Sequence, residues 1–296
     1  MSTYSIKNLE QLSGIKAHTL RIWEQRYHLL NPKRTDTNIR YYDNEDLKLI
    51  LNVALLNENG FKISKIAALR PEEIRAEVLR VTDESEALDD QIHALTLCLI
   101  NMDEDRFEEI ISSQILRYGF ERTMFELIYP FMSRIGVLWQ TGAIAPAQEH
   151  FISNLVRQKL IVAIDGLTKL KGGRTFLLFL PEGELHEISL LFSNYLIKAS
   201  GHRVVYLGQS TPSADLLSVY RLHQPDYLLT VVTSSPSAEH AQDYINALSA
   251  KFPAAQILMS GYQVIGRELH FPKNVQLMRD FVDFRKILAE ISAVGI

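Results

Sequence analysis

Residues 175–187 read TFLLFL-PEGELHE, an apolar run followed directly by a polar loop. The first six residues form a short continuous apolar segment bounded by Pro and Gly, which predicts a buried strand. Apolar residues at helical spacing over 188–196 predict a helix after the loop. In open α/β sheets such a loop lies at the carboxyl edge of a parallel strand, where ligands bind. Glu184, His186 and Glu187 place two carboxylates beside an imidazole, so this loop is the predicted ligand site.

The chain continues after this unit as an alternation of short apolar runs and helical patterns. Gly201 and Pro225 mark turns that lead from a helix into a strand. The strands are predicted near residues 175–180, 203–207, 227–232, 256–260 and 275–278. Strands that alternate with helices in this way predict a flavodoxin-like, doubly wound parallel sheet over residues 172–296.

The composition is that of a globular protein with more than one domain. The chain has 296 residues, of which 47% are hydrophobic and 22% are charged, enough for two or three packed domains. The single cysteine, Cys98, lies in an apolar helical run and is expected to be a buried, reduced thiol. No apolar stretch is long enough to span a bilayer, and the first residues lack a signal pattern, so we expect a cytoplasmic protein without membrane contact.

The charge is distributed unevenly along the chain. Residues 1–70 contain 11 Lys or Arg and 7 Asp or Glu, a formal charge of +4, whereas the remainder carries −8. This asymmetry favours contact with nucleic acid through the amino-terminal part alone.

The first 70 residues have the pattern of a winged helix-turn-helix. Ser5 is placed to cap a first helix that ends at Gly14, and a second helix follows a tight turn. Residues 33–41 then predict a two-stranded hairpin with a polar tip, and Asp43 is placed to cap the next helix. Polar side chains on the second helix are of the kind that reach phosphates and base edges in a major groove.

The run Thr19-Leu-Arg-Ile-Trp-Glu-Gln-Arg-Tyr27, followed by Pro32, Arg34 and Arg40-Tyr-Tyr42, resembles the winged helix of MerR-type transcription regulators. The resemblance implies that the second helix and the wing bind duplex DNA. Trp23 is expected in the core, and Glu24 is expected to pair with a neighbouring arginine. The implied DNA contacts are His18, Thr19, Arg21, Arg26, Tyr27, Arg34, Asn38, Arg40 and Tyr41.

The next part of the chain departs from the MerR pattern. MerR-type proteins usually dimerise through a long coiled coil, but residues 71–86 are charged and weakly periodic, which predicts a helix remnant and a linker. Residues 87–171 then predict a four-helix bundle with short loops. Its helices are expected to begin near Leu88, after Asp103, at Arg122 and at Pro146, with a bend at Pro130 and the last helix ending at Lys171.

One end of the bundle carries Trp139 and, at the start of the last helix, Glu149 and His150. Alone, these residues would be interpreted as a core tryptophan and a surface pair. Their spacing, however, resembles the cap of light-responsive, cobalamin-dependent repressors of the CarH and LitR type. The resemblance implies that the three side chains cover the upper face of adenosylcobalamin.

A second resemblance lies in the loop itself, where Glu184-x-His186-x-x-Ser189 is similar to the Asp-x-His-x-x-Gly signature of cobalamin-binding domains. In that family the histidine is the lower axial ligand of cobalt. Residues 205–208 also fit the family's second loop. Ser189 replaces a glycine, residues 231–233 replace Ser-x-Leu, and Ser260 replaces a glycine. The implied cofactor contacts are Trp139, Glu149, His150, Glu184, His186 as the cobalt ligand, Ser189, Gly208, Thr233, Ser234 and Gly261.

The sequence therefore predicts a non-enzymatic regulator, most consistent with a repressor, that binds an operator as a dimer or tetramer and responds to a cobalamin, with adenosylcobalamin and light favoured. Two other functions stay open. The sheet domain of a cobalamin-independent repressor would serve oligomerisation or the docking of an antirepressor protein. A corrinoid enzyme subunit is disfavoured because no residues remain for a substrate-activating domain.

Overall fold

The computed structural model describes residues 3–35, 38–84, 87–140, 144–168 and 172–294. The chain forms two compact units that divide between Leu155 and Val156. No helix among the described residues is long and apolar enough to cross a membrane.

The first unit begins with a winged helix-turn-helix. Its elements are α1 (Ile6–Ser13), α2 (Ala17–Tyr27), β1 (Lys33–Arg34), β2 (Arg40–Tyr41) and α3 (Asn44–Glu58). Ser5 and Asp43 each form a capping box, as the sequence predicts, so they satisfy the first free N–H groups of α1 and α3. Tyr4 and Tyr42 exchange two backbone hydrogen bonds of 2.8 and 2.9 Å, which tie the base of the wing to the start of α1. Residues 36 and 37, at the tip of the predicted wing, lie outside the described residues.

The structure differs from the sequence prediction in the segment after α3. A short helix α4 (Ile63–Ile66) is followed by α5 (Pro71–Glu84), a continuous helix where a remnant and a linker are predicted. Ile74, Val78 and Val81 are buried, and α5 packs against α3 and the next helix. Three apolar residues at helical spacing stabilise a charged helix when two partner helices cover them. The sequence prediction is based on the charges of this segment, and the partner helices are visible only in the tertiary structure.

The helical bundle follows. It consists of α6 (Leu88–Asn101), α7 (Glu104–Tyr118), α8 (Phe120–Thr123), a π-helical segment (Met124–Ile128), α9 (Tyr129–Gln140) and α10 (Pro146–Asp165). The π-helical turn ends two residues before Pro130, which has no N–H to donate to the preceding turn. The predicted bend at Pro130 is therefore a local widening of the helix. Helix α10 ends at Asp165 rather than at Lys171, and residues 169–171 lie outside the described part of the chain.

The elements of the second unit are β3 (Thr175–Phe179), α11 (Ile188–Ala199), β4 (Arg203–Gly208), α12 (Ser213–His223), β5 (Tyr227–Val231), α13 (Ala241–Lys251), β6 (Gln256–Ser260), β7 (Val275–Leu277) and α14 (Phe281–Val294). The strands form a five-stranded parallel sheet in the order β4-β3-β5-β6-β7. This is the flavodoxin-like order that the strand and helix pattern predicts. The chain turns from β3 to β4 on one side and then crosses to β5 on the other. The loops after β3 and β5 therefore diverge at the switch point, where such sheets bind ligands.

The end of β6 approaches the end of β5 too closely for a side chain. Gly261 has a φ of +115°, and a Cβ atom there would lie 2.3 Å from the carbonyl oxygen of Val232. The glycine is therefore required for the packing of these two loops at the carboxyl edge.

We predict that Gly261→Ala lowers the free energy of unfolding by roughly 3 kcal/mol or more, because the new methyl group collides with backbone atoms. Gly266→Ala is the matched control, since Gly266 has a φ of +72° and no atom within 4 Å of the added Cβ. The control should lose only about 1 kcal/mol, from backbone strain. Urea unfolding followed by circular dichroism measures both values, and equal losses would contradict the steric explanation.

Candidate functional site

The loop after β3 is organised around the carboxylate of Glu184, which is completely buried. Its Oε2 atom accepts hydrogen bonds from the backbone N–H groups of Thr233, Ser234 and Ser235 at 2.9, 2.5 and 3.0 Å. These three N–H groups belong to the loop after β5. One side chain thus joins the two loops that diverge at the switch point.

The same carboxylate holds the histidine. Glu184 Oε1 lies 2.6 Å from Nδ1 of His186 and 3.0 Å from its backbone nitrogen. Burial on its own would raise the pKa of Glu184, but the hydrogen bonds from the His186 ring and from the N–H groups of Ser234 and Ser235 outweigh burial and hold that pKa well below its usual range. The carboxylate is therefore ionised at neutral pH.

His186 itself is largely solvent-accessible, with 61% of its side chain exposed. A neutral imidazole that donates Nδ1–H to a carboxylate keeps its lone pair on Nε2, the atom that binds a metal. A carboxylate behind a metal-binding histidine orients the ring and raises its basicity. The contact between Glu184 and His186 thus orients one imidazole at the carboxyl edge of the sheet, and an oriented imidazole is a side chain that could serve as a metal ligand.

Glu187, the second carboxylate of the loop, has a different role. Its Oε1 lies 2.5 Å from Nε of Arg157 on α10, and its Oε2 accepts a hydrogen bond of 3.2 Å from the Tyr206 hydroxyl. Burial, followed by the charge of Glu187, raises the pKa of Tyr206. Of the two carboxylates that the sequence offers for His186, Glu184 is therefore the one in contact with the ring.

The remaining predicted contacts at this edge have internal partners. Thr233 and Ser234 donate their N–H groups to Glu184, and Gly261 packs on Val232. Gly208 has a φ of +80°, and its carbonyl oxygen accepts a hydrogen bond from the N–H of Leu180. These residues shape the carboxyl edge, and their contact with a ligand stays a prediction. Ser189, the second residue of α11, is half-buried, and its carbonyl oxygen accepts a hydrogen bond from the Ser193 hydroxyl.

Sequence reasoning missed Arg157, and it assigned no contact to Tyr206 in the second loop or to Ser235, whose hydroxyl the sequence offers near the ligand site. The Ser235 hydroxyl donates to the backbone oxygen of Glu182 and strengthens the link between the loops. Arg157 follows His150 by seven residues, a spacing that places both on one face of α10. This helical spacing is the sequence signal from which Arg157 could have been predicted as a residue of the site.

The predicted cap residues lie on α9 and α10 in the first unit. Glu149 is in the first turn of α10, where its Oε1 accepts a hydrogen bond from the Ser153 hydroxyl and its Oε2 lies 2.9 Å from Nδ1 of His150. His150 has 74% of its side chain exposed. Trp139 is in α9, and its side chain lies outside the described part of the structure.

The winged helix presents its predicted contacts on the surface. His18, Arg21 and Arg26 on α2 are exposed, Thr19 and Tyr27 are half-buried, and Trp23 lies in the core as expected. The guanidinium of Arg26 lies over the Tyr27 ring at 5.4 Å, a cation–π contact that holds the arginine in place.

The wing is held against α2 by Glu24. This carboxylate lies 3.4 Å from Nε of Arg40 and accepts a hydrogen bond from the Tyr42 hydroxyl at 3.2 Å, so the expected pairing of Glu24 with an arginine is present. Burial, together with the charge of Glu24, raises the pKa of Tyr42 to about 12. On the wing, Arg34 donates a hydrogen bond of 2.6 Å to Asn38, and Tyr41 is half-buried.

Comparison with known families gives two matches along the chain. Residues 4–73 match the MerR HTH family regulatory protein, and residues 91–163 match the B12 binding domain. The first match covers the winged helix, and the second covers most of the helical bundle.

The chain is also similar to two curated repressors of Myxococcus xanthus. It is 27% identical to the HTH-type transcriptional repressor CarH over 85% of this chain and 86% of the relative. It is 29% identical to the repressor CarA over 85% of this chain and 84% of the relative. Among solved structures, the Methanosarcina barkeri monomethylamine corrinoid protein superposes with a TM-score of 0.55 at 15% identity, over 66% of this chain and 94% of that one. This last likeness concerns the fold alone.

The contacts of Glu184 predict a pH dependence of stability. Because its pKa is lower in the folded protein, its ionised form stabilises the fold above the pKa of the unfolded chain, near about 4.3. That stabilisation is lost as the pH falls further, through the lower folded value. We predict that Glu184→Gln lowers the free energy of unfolding at pH 7 by roughly 2 kcal/mol.

Urea unfolding at pH values from 7 down to 3 tests this expectation. The difference between the wild-type protein and Glu184→Gln should stay constant down to about pH 4.5 and then shrink. Glu182→Gln, a change of an exposed carboxylate in the same loop, should leave the stability at pH 7 almost unchanged. A wild-type curve that runs parallel to the Glu184→Gln curve over the whole range would contradict the assignment.

Proposed function

We propose, from the premise that the chain is a MerR-type transcription regulator with a B12-binding domain and is homologous to the CarH and CarA repressors, that it represses transcription by binding DNA under the control of a cobalamin. The observation that carries this proposal is the 2.6 Å contact between Glu184 and His186. It gives the sheet domain an oriented imidazole at the switch point, which would replace the base of the cofactor's own tail as a ligand of cobalt.

DNA binding is assigned to the winged helix. The exposed side chains of His18, Arg21 and Arg26 on α2, with Thr19 beside them, would enter or flank a major groove. Arg34 and Arg40 on the wing would contact the adjacent backbone, with Asn38 and Tyr41 beside them. Arginine contacts to phosphate fix the orientation of such a domain and make its affinity depend on salt.

We predict that Arg26→Ala weakens binding to all duplexes alike and reduces the slope of log affinity against log salt by about one unit, because one phosphate contact is lost. Fluorescence anisotropy of the full chain, with duplexes selected from random sequence and with unrelated duplexes, measures both quantities. Arg122→Ala is the matched control, since Arg122 is an exposed arginine of α8 with its own ion pair to Glu126. An unchanged slope in Arg26→Ala would remove this residue from the interface.

Cofactor binding is assigned to the edge that carries His186. Nε2 of His186 would coordinate cobalt from below, and Glu184 would keep the ring in the required tautomer. Trp139, Glu149 and His150 would cover the upper side. Thr233, Ser234 and Gly261 would line the wall beside the nucleotide tail, and Gly208 and Ser189 would border the entrance. The carboxylate of Glu184, which accepts hydrogen bonds from three N–H groups of the loop after β5, would hold this wall in place.

Control of DNA affinity is assigned to a change of oligomeric state. When bound, adenosylcobalamin would supply a cobalt–carbon bond that light can break. The chain has no heptad pattern after its winged helix, so pairing of two DNA-binding domains on two half-sites requires contacts made by the rest of the protein. A ligand changes this equilibrium only if it binds the oligomeric states unequally. Trp139, Glu149 and His150 of the cap would touch the upper ligand and would therefore respond to its loss.

We predict that the protein takes up adenosylcobalamin in the dark, with a spectrum that reports an axial imidazole, and that His186→Ala lowers the affinity by at least about tenfold and loses that spectral feature. His223→Ala is the control, because His223 is an exposed histidine at the end of α12. Light scattering on the same samples, before and after illumination, reports whether the mass changes.

Two results of this titration would redirect the assignment. If the wild-type protein takes up no cobalamin, the sheet domain acts in oligomerisation or antirepressor docking, and the repressor is cobalamin-independent. Equal uptake with identical spectra for the wild-type protein and His186→Ala would show that His186 is not the ligand.

A further inference from the structure

The first unit contains a cavity of about 390 Å³ between α3, α5, α6 and α7, remote in sequence from the loop of His186. Val78, Ala94 and Cys98 form part of its wall and are each at most 5% exposed. A partly enclosed cavity of this size, mainly apolar with a few polar groups, has the character of a small-molecule site.

One polar side chain in this wall has no partner. Asn52, on α3, lines the cavity and is only 9% exposed, and its amide makes no hydrogen bond with any residue that the structure describes. Its neighbours Leu51 and Val53 are buried apolar residues of the same helix. A buried amide is normally hydrogen-bonded. The amide atoms of Asn52 keep access to the cavity, so water or a polar group of an occupant can bond them.

The rim of the cavity carries an excess of positive charge on one side. Lys48 Nζ lies 2.9 Å from Glu45 Oε1, and Arg75 Nη2 lies 3.9 Å from Glu45 Oε2, so two cations share one carboxylate. A third cation of the rim, Arg106, has its own carboxylate in Glu109, 3.0 Å away. The lining also contains the carboxylate of Asp103, at the start of α7. The positive side of the rim is therefore the one that carries Lys48 and Arg75, and this side favours a negatively charged group of an occupant.

We propose that this cavity binds a small amphipathic monoanion, with its carboxylate between Lys48 and Arg75, a polar atom against Asn52 and an apolar body beside Ala94 and Cys98. Helix α3 belongs to the winged helix, whereas α6 and α7 belong to the helical bundle. An occupant that touches both parts couples its own affinity to their arrangement, and hence to DNA binding. This site is independent of the cobalamin assignment.

Cys98 provides the readout, because it is the single cysteine of the chain and lies in the cavity wall. Burial raises the pKa of this thiol to about 12, so its modification is slow and requires the reagent to enter the wall. We expect octanoate to slow the reaction of Cys98 with methyl methanethiosulfonate in a saturable manner. Octan-1-ol, which has the same apolar body without the charge, should protect far less.

Three variants of the full chain test the contacts. Arg75→Gln and Asn52→Leu should each raise the octanoate concentration for half-protection by about tenfold, the loss expected for one charge-assisted or buried hydrogen bond. Arg75 has 67% of its side chain exposed, so its replacement leaves the fold intact. Arg122→Gln, at an exposed arginine of α8 away from the cavity, should change nothing. Absence of protection by octanoate, equal protection by octan-1-ol, or unchanged protection in Arg75→Gln would overturn the proposal.

Discussion

The buried carboxylate of Glu184 is the interaction on which the carboxyl edge of the sheet depends. A charge that is taken out of water must be compensated locally, and this one is compensated by three N–H groups of the loop after β5 and by the ring and backbone of His186. The two loops that diverge at the switch point are therefore held together by a single side chain. The contact between Glu184 Oε1 and Nδ1 of His186 also orients the imidazole ring at this edge of the sheet.

This arrangement gives a physical meaning to the departures from the cobalamin-binding signature. Glu184 stands where the signature has aspartate, and its carboxylate contacts both the N–H groups of residues 233–235 and the ring of His186. The hydroxyl-bearing residues Thr233 and Ser234 contribute here through their backbones. Gly261 is required because the backbone of Val232 occupies the space of a side chain. Glu184, the loop after β5 and Gly261 thus form one connected set of contacts at this edge.

The first unit shows a second case in which neighbouring elements are joined by polar contacts. Glu24 joins α2 to the wing through Arg40 and Tyr42, so the two DNA-facing elements are held in a fixed relation. Beyond the wing, Asn59 donates a hydrogen bond of 2.9 Å to the buried Asp90 at the start of α6. Helix α5 also packs between α3 and α6. A change in the bundle therefore has a direct physical route to the winged helix, which a flexible linker would not provide.

The sequence by itself determined the order and type of the elements, because capping residues and apolar periodicity are local signals. Ser5 and Asp43 cap their helices as predicted, and the strands of the sheet lie where the apolar runs are. Only the tertiary structure decided that residues 71–84 form a packed helix, that Glu184 rather than Glu187 holds His186, and that Arg157 is the partner of Glu187. These outcomes depend on distances between residues far apart in the chain. Two carboxylates that flank a histidine are equivalent in sequence, and they differ only once the loop after β5 offers its N–H groups to one of them.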